Sequence, residues 1–533
     1  MFQQFGYKLN EFGEWTSRSF FSRILTSEHV LINIIIAALL YLMSDRLTVS
    51  AAALILGIFI IFWFGPAARY MPDREKKPLV YTPRMTRLAS VMSILVAFPF
   101  YMILDLSITG RLFNTILTIR EAGQPLLLAD PYFLIFGLVF VDMLIPLMLF
   151  LSAILLKPVE WWIQEGFKRK ARKKLSRMPD LKVVAITGSY GKTSTKFMIA
   201  TLLKERFSVC VTPGSYNTPM GICKVINNDL QAHHQILVLE MGARYEGNIR
   251  ELCEIATPDV SVITNVGKAH LETFGSVEAI AAEKSTLATE LKEEGTLVLN
   301  MDDEKVAAMK GLRPDATIIE TGIRSGVIRA EEIIYDQEGI RFLMITGGRQ
   351  KEEESKTEIR MNLLGRHNAE NFLLAAGVAQ SFGIRPGTIA LGAKAIEPVE
   401  HRLELKKEGE LIIIDDAFNS NPVGAKHAVE VLASFSGGRK IIVTPGMVEL
   451  GAEQEEENRA FGKVIGMARL DLVILVGPEQ TAPILEGVKE SAGMGERVRV
   501  VNSLFEANDI IREYAQSGDI VLYENDLPDL YNE

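Results

Sequence analysis

Val183-Val184-Ala185-Ile186-Thr187-Gly188-Ser189-Tyr190-Gly191-Lys192-Thr193-Ser194-Thr195 decides how the rest of the chain is read. Its first five residues are apolar and β-branched, the pattern of a buried strand. A glycine-containing turn follows, and Phe197 to Leu203 then repeats apolar residues at helical spacing. Strand, glycine turn and helix in that order build a backbone cradle for phosphate. Gly188 and Gly191 let main-chain N–H groups approach phosphate oxygens with no Cβ in the way. Lys192 carries the charge that neutralises the β and γ oxygens, and Thr193 offers a hydroxyl to Mg²⁺. The common P-loop has four residues between its first glycine and the Gly-Lys pair. Here only Ser189 and Tyr190 separate Gly188 from Gly191.

The surrounding chain has 533 residues, room for three or four domains. Cys210, Cys223 and Cys253 show neither metal-ligand spacing nor a disulfide framework, which suits a reducing compartment. The net charge of −9 divides unevenly: residues 1–182 carry 21 Lys and Arg against 13 Asp and Glu, and the remainder is strongly acidic. That profile excludes a nucleic-acid binder and suits a membrane-anchored front joined to a soluble enzyme. Four apolar segments fill the front, at His29–Met43, Leu47–Phe64, Leu88–Leu106 and Tyr132–Leu156. Each approaches or exceeds the ~20 residues that span a bilayer. The loop between the second and third holds Arg69, Arg74, Lys76, Lys77, Arg84 and Arg87, and a second basic run, Lys157 to Arg177, follows the fourth. The positive-inside rule then puts both termini in the cytoplasm, where ATP is found. Asp142 lies within the fourth segment, as a helix-packing acid or a lipid-substrate contact. Glu160–Arg177, with Trp161, Trp162 and Phe167 among its cations, reads as an interfacial helix or a basic linker.

From Leu181 short strands alternate with helices. Gln235–Glu240, Val260–Asn265 and Thr296–Leu299 read as strands and Val277–Leu291 as a helix, which predicts a mostly parallel sheet with helices on both faces. Ligands of such sheets sit at the carboxyl ends of the strands, where Glu240, His270 and Thr193 all fall. Thr317–Asn362 is strand-like and charged, with a turn at Gly347-Gly348 and a solvated loop at Lys351–Lys356. Beyond Glu397, Leu411–Ile414, Lys440–Val443, Leu472–Val476 and Val498–Val501 are strands of a second, Rossmann-like unit. The expected fold is thus α/β: a four-span helical membrane domain (1–156), a basic interfacial linker (157–180), a P-loop domain (181–396) and a Rossmann-like domain (397–533).

Thr187-Gly188-Ser189-Tyr190-Gly191-Lys192-Thr193-Ser194 resembles the ATP loop of the Mur ligases, the ATP-dependent amide ligases of peptidoglycan synthesis. Glu240-Met241-Gly242 and Thr264-Asn265-Val266-Gly267-Lys268-Ala269-His270-Leu271-Glu272 are similar to the branch that adds D-alanyl-D-alanine to UDP-muramoyl-tripeptide. Gly365-Arg366-His367-Asn368-Ala369-Glu370-Asn371, Asp415 to Pro422 and Met447-Val448-Glu449-Leu450-Gly451 extend the likeness, in order, over about residues 180–525.

The resemblance implies roles. Gly188 to Ser194, Asn217, Asn371, Arg402 and Asp416 would bind ATP, with Lys192 on the phosphates, Asn371 at the adenine, and Arg402 and Asp416 closing from the last domain. Thr193 and Glu240 would hold one Mg²⁺ and His270 a second. Lys284 matches a lysine that the family carbamylates with CO₂, which needs the neutral amine and so a site that lowers its pKa. Lys192, His270 and Lys284 are the expected catalytic set. A carboxylate would attack the γ-phosphate, and an amino acid or dipeptide amine would then attack the acyl phosphate. No side-chain nucleophile is required, in keeping with the lack of a Ser-His or Cys-His constellation.

The chain departs from that branch in three places. Four apolar segments stand where the soluble ligases grip the UDP-sugar, which favours a lipid-linked cell-wall precursor over a UDP-linked one and adds membrane lipid as a partner. Thr444-Pro445-Gly446-Met447 lacks the acid usual before the methionine. Glu524-Asn525-Asp526-Leu527 replaces a basic run, which points to a different amine. The expected activity is a multi-pass, cytoplasm-facing cell-wall amide ligase of D-alanyl-D-alanine-adding type. The alternatives are a poly-γ-glutamate-type polymer synthetase and a non-catalytic ATP-binding scaffold.

Overall fold

A computed structural model describes residue 13 and residues 81–109, 131–347, 354–418 and 420–526. These fall into two compact units that part between Ile163 and Gln164. In the first unit the helix Pro83–Thr109 contains the expected third span, and the helix Pro131–Leu175 contains the fourth and Asp142. The first two expected spans lie outside the described residues. Among those described, one stretch, Leu147–Leu175, is long and apolar enough to cross a membrane by length and composition. Ile94, Phe98, Leu151 and Leu155 are exposed on these helices, while Arg87 pairs with Glu160 at 2.6 Å.

The helix Pro131–Leu175 runs unbroken through the boundary expected at 156/157. Its end, from Gln164, belongs to the second unit. Ala171 is fully buried there in a core with Leu181, Val183, Ile226 and Leu252. Lys168 pairs with Glu251 at 2.6 Å, and Lys174 Nζ donates to the carbonyl of Asn227. The stretch expected as a basic interfacial linker, 157–180, is thus helical through Leu175, and its end buries apolar surface and pairs its cations. Trp161 and Trp162 remain exposed.

The second unit carries two sheets. Nine strands form the first: β1 (Lys182–Thr187), β2 (Val209–Val211), β3 (Ile236–Glu240), β4 (Val260–Ile263), β5 (Thr296–Asn300), β6 (Thr317–Gly322), β7 (Ile328–Asp336), β8 (Gly339–Thr346) and β9 (Ser355–Met361). Their order is β2-β3-β1-β4-β5-β6-β7-β8-β9, parallel through β7, with β8 and β9 antiparallel. β3 and β4 are buried at every position and β1 at all but its first, because helices cover both faces of a parallel sheet. The helices Lys192–Lys204 and His367–Ser381 pack one face through Met198, Leu202 and Phe372. β9 opens at Ser355, inside the stretch expected as a solvated loop.

Six strands form the second sheet: β10 (Glu404–Glu408), β11 (Leu411–Asp416), β12 (Lys440–Thr444), β13 (Leu472–Val476), β14 (Val498–Val501) and β15 (Ile520–Glu524). The order β10-β11-β15-β12-β13-β14 is parallel except for the antiparallel edge strand β10. Insertion of β15 between β11 and β12 brings Asp416, Thr444 and Glu524 to one end of the sheet. Both sheets thus present strand ends carrying polar residues.

Candidate active site

The turn between β1 and the helix Lys192–Lys204 is held by the segment that follows β4. Tyr190 N donates to Asn265 Oδ1 at 2.8 Å, and Thr264 Oγ1 donates to the Tyr190 carbonyl at 2.6 Å. Ser189 Oγ donates to the Gly267 carbonyl and accepts from Gly267 N. Two sequence motifs 75 residues apart are therefore one structural element. Gly191 has φ 74°, and a Cβ there would lie 2.3 Å from Asn371 Oδ1. A Cβ on Gly188 would lie 1.8 Å from Thr264 Oγ1. Glycine is required at both by contact as well as by backbone angle.

Lys192 Nζ donates to the carbonyls of Gly188 and Ser189 at 2.8 and 3.1 Å, curled inside the turn. Burial lowers its pKa, opposed by Glu240 and reinforced by Arg402. Thr193 Oγ1 donates to Glu240 Oε2 at 2.9 Å, and Asn217 Nδ2 donates to Glu240 Oε1 at 3.2 Å. Glu240 ends β3 and is 1% exposed. A buried carboxylate needs a charged partner, and Lys196 supplies it: fully buried, its Nζ is 3.3 Å from Glu240 and also donates to the Gly214 carbonyl. Sequence reasoning passed over Lys196. Its signal was the three-residue step from Thr193, which places both on one face of the helix.

Lys284 sits on the helix Val277–Thr289, buried, and burial with the nearby Lys192 charge lowers its pKa to about 7. His270, at φ 60°, pairs through Nδ1 with Glu449 Oε2 at 2.7 Å. Arg402 lies 4.4 Å from the ring centroid of Phe418, and Asp416 accepts from Leu403 N at 3.1 Å. Asp416 is raised to about 6, by burial first, against the pull of Arg402. Glu449, Phe418 and Ser420 are site residues that the sequence reading did not assign.

These groups line two adjoining cavities. The larger, about 380 Å³, takes in Gly188 to Thr193, Asn217, Glu240, His270, Lys284 and Arg402. The smaller, about 120 Å³, takes in Ser194, Asn371, Asp416 and the imidazoles of His367 and His427. Tyr190, Gly191, Arg402, Ser420 and Asn421 border both. The expected ATP residues are thus brought together. His367 lines the smaller cavity, and its Nδ1 is buried with no hydrogen-bond partner among the described residues. Asn371 has a second job, since its Oδ1 accepts from Thr195 Oγ1 and backs Gly191.

Sequence profiles for the Mur ligase middle domain and for the Mur ligase glutamate ligase domain match residues 186–379 and 401–523. The chain is 30% identical over 345 residues to the UDP-N-acetylmuramoyl-tripeptide–D-alanyl-D-alanine ligase of Bacillus subtilis, covering 64% of this chain and 72% of that one. The chain belongs to the Mur ligase family. It is therefore an ATP-dependent ligase, as expected. The Mycobacterium tuberculosis (strain CDC 1551) protein named for the same activity is 32% identical, over 59% of this chain and 63% of its own. The crystal structure of MurF ligase from Thermotoga maritima in complex with ADP superposes with a TM-score of 0.60 at 26% identity, over 68% of this chain and 80% of that one. All the aligned lengths leave a substantial part of this Mur ligase's chain unmatched.

Among the described residues no cluster of three or more His, Cys, Asp and Glu side chains is arranged to hold a metal. The expected set is mixed instead: a hydroxyl, a carboxylate and an imidazole lining one cavity, with a buried amine. Oxygen donors Thr193 and Glu240 suit Mg²⁺, so the residues fit a cation that arrives with phosphates.

Proposed function

We propose that this Mur ligase is a membrane-anchored amide ligase of cell-wall precursor synthesis, D-alanyl-D-alanine-adding or close to it. The observation that carries the reading is the convergence of Lys192, Thr193–Glu240 and Lys284 on one cavity closed by Arg402. That array neutralises phosphate and orients a carboxylate, which is what acyl-phosphate formation demands. Lys192 exchanges its two loop carbonyls for the β- and γ-phosphate oxygens. Arg402, held against Phe418, meets the nucleotide from the C-terminal domain. His367 and Asn371 face the base in the smaller cavity. The substrate carboxylate attacks the γ-phosphorus in line, ADP departs, and an amine displaces phosphate from the acyl phosphate.

Thr193, Glu240 and His270 would hold Mg²⁺, which supplies charge neutralisation for the phosphates when bound. Lys284 is the group a carbamate would form on, since burial keeps a neutral amine available near pH 7. Localisation at the membrane is supported by the exposed apolar face of Leu147–Leu155 and by Trp161 and Trp162 beside Lys168–Lys174.

The test is ADP release by the full chain in detergent, with ATP, UDP-muramoyl-tripeptide or a lipid-linked precursor, and a panel of amines. Dependence on D-alanyl-D-alanine supports the reading; dependence on glutamate alone replaces it with a γ-glutamyl polymer synthetase. Glu524, an acid where a carboxylate-holding base is expected, favours keeping that second reading in the panel.

A further inference from the structure

The strand ends of the second sheet hold a buried acid that the reaction above does not use. Glu524 closes β15 and is 1% exposed. Ser420 Oγ donates to its Oε1, and Thr444 Oγ1, at the end of β12, donates to its Oε2 at 2.6 Å. Thr444 Oγ1 also accepts from Gly446 N at 3.0 Å, and Asn525 Nδ2 donates to the Gly446 carbonyl at 2.6 Å, so the carboxyl group is held rigidly. From β11 the charged group facing Glu524 is Asp416, which in turn interacts with Arg402; β12 presents only the uncharged Thr444. Among the described residues no Lys or Arg pairs with Glu524. Burial, with Asp416 adding to it, raises the acid to about 7, so both protonation states are populated at neutral pH. Ser420 is the link outward, because it lines the cavity that also contains Lys192, Thr193 and Lys284.

We propose that Glu524 is the proton acceptor for the incoming amine, acting through the Ser420 hydroxyl. This rests on the amide-ligase reading. At neutral pH an amine arrives as an ammonium ion, whose nitrogen has no lone pair to give. Its proton passes to Ser420 Oγ as the Ser420 proton passes to the Glu524 carboxylate. The freed lone pair attacks the carbonyl carbon of the acyl phosphate; the C–N bond forms and the C–O bond to phosphate breaks. The second nitrogen proton leaves with the phosphate, and Glu524 returns its own through Ser420 as product departs.

Hydroxylamine separates this role from a structural one, since it is already neutral at pH 7 and needs no acceptor. With ATP, UDP-muramoyl-tripeptide and D-alanyl-D-alanine, Glu524→Gln should lose about 100-fold in amide formation at pH 7. The wild-type rate should level off above pH 7, while the variant's keeps rising until the free amine itself deprotonates. Hydroxamate formed from the same acyl phosphate should be unchanged in Glu524→Gln. Equal loss of hydroxamate and amide makes Glu524 structural and overturns the inference, as does an unchanged amide rate and pH profile. Wild-type protein that forms neither ADP nor hydroxamate sinks the function reading itself, and this inference with it.

Discussion

At the strand ends of the first sheet lysines gather around one carboxylate, Glu240, whereas at those of the second two acids stand together. At the first sheet, desolvation lowers the pKa values of half-buried Lys192 and of buried Lys196 and Lys284. At the second, desolvation raises half-buried Asp416 to about 6 and buried Glu524 to about 7. Burial disfavours charge of either sign, so the lysines are shifted down and the acids up from their ordinary values. The lysines face the anions brought by ATP, and Glu524 takes a proton from a cation. The difference between the two edges is thus a division of labour between activating a carboxylate and deprotonating an amine.

The comparison breaks first at Lys192. Lys192→Ala should cut ADP release by about 10³-fold while leaving the fold intact, because the side chain bonds only carbonyls of its own turn. Retained activity would remove the first edge from the chemistry. Gly191→Ala should come next, abolishing detectable nucleotide binding in calorimetry, since the new methyl meets Asn371 at a φ that alanine avoids.

The two edges should also pull stability in opposite directions with pH. Unfolded lysine ionises at about 10.4, whereas folded Lys284 stays neutral down to about 7. The unfolded chain binds the extra proton between those values, so this group's contribution to stability rises with pH from about 7 to 10. Lys284→Met should therefore stabilise the inactive variant by roughly 4 kcal/mol at pH 7 and by little at pH 10. Glu524 behaves in mirror image: unfolded glutamate ionises at about 4.3 and the folded group near 7. Its contribution falls as pH rises from about 4 to 7, and Glu524→Gln should gain about 3 kcal/mol at pH 8 and nothing at pH 4. Urea melts of the full chain in detergent across this range check both signs at once.

Much of the first edge was legible in the sequence, and little of the second. β1, the turn and its helix announce themselves because local pattern and phosphate chemistry coincide in thirteen successive residues, Val183 to Thr195. Glu240 was legible as the residue that ends an apolar run. Lys196 was not, since a lysine at helical spacing reads as solvated until its face is known. β10, Glu-Leu-Lys-Lys-Glu, carries no apolar alternation because an edge strand needs little. β15 reads as a strand only once its place between β11 and β12 is known, and that order is a tertiary fact. Glu524 therefore showed in sequence only as a missing basic residue. Its bonds to Ser420 and Thr444 join residues 104 and 80 positions away, beyond any local pattern.

The smallest expected effect lies between the edges. Lys268, in the segment that clamps the phosphate turn, pairs with Glu453 and Glu457 of the C-terminal domain, and His270 pairs with Glu449 beside them. The Lys268 side chain is 37% exposed, so water screens the attraction and the net contribution is roughly 1 kcal/mol or less. If these pairs hold the two edges together over the nucleotide, Lys268→Ala should raise KM for ATP less than about fivefold and leave kcat nearly unchanged. Glu453→Ala with Glu457→Ala should reproduce that change, and the triple variant should add almost nothing, because the groups form one network. Raising the salt concentration should erase the difference from wild type. An effect on kcat that survives high salt would instead place Lys268 in the chemistry of the first edge.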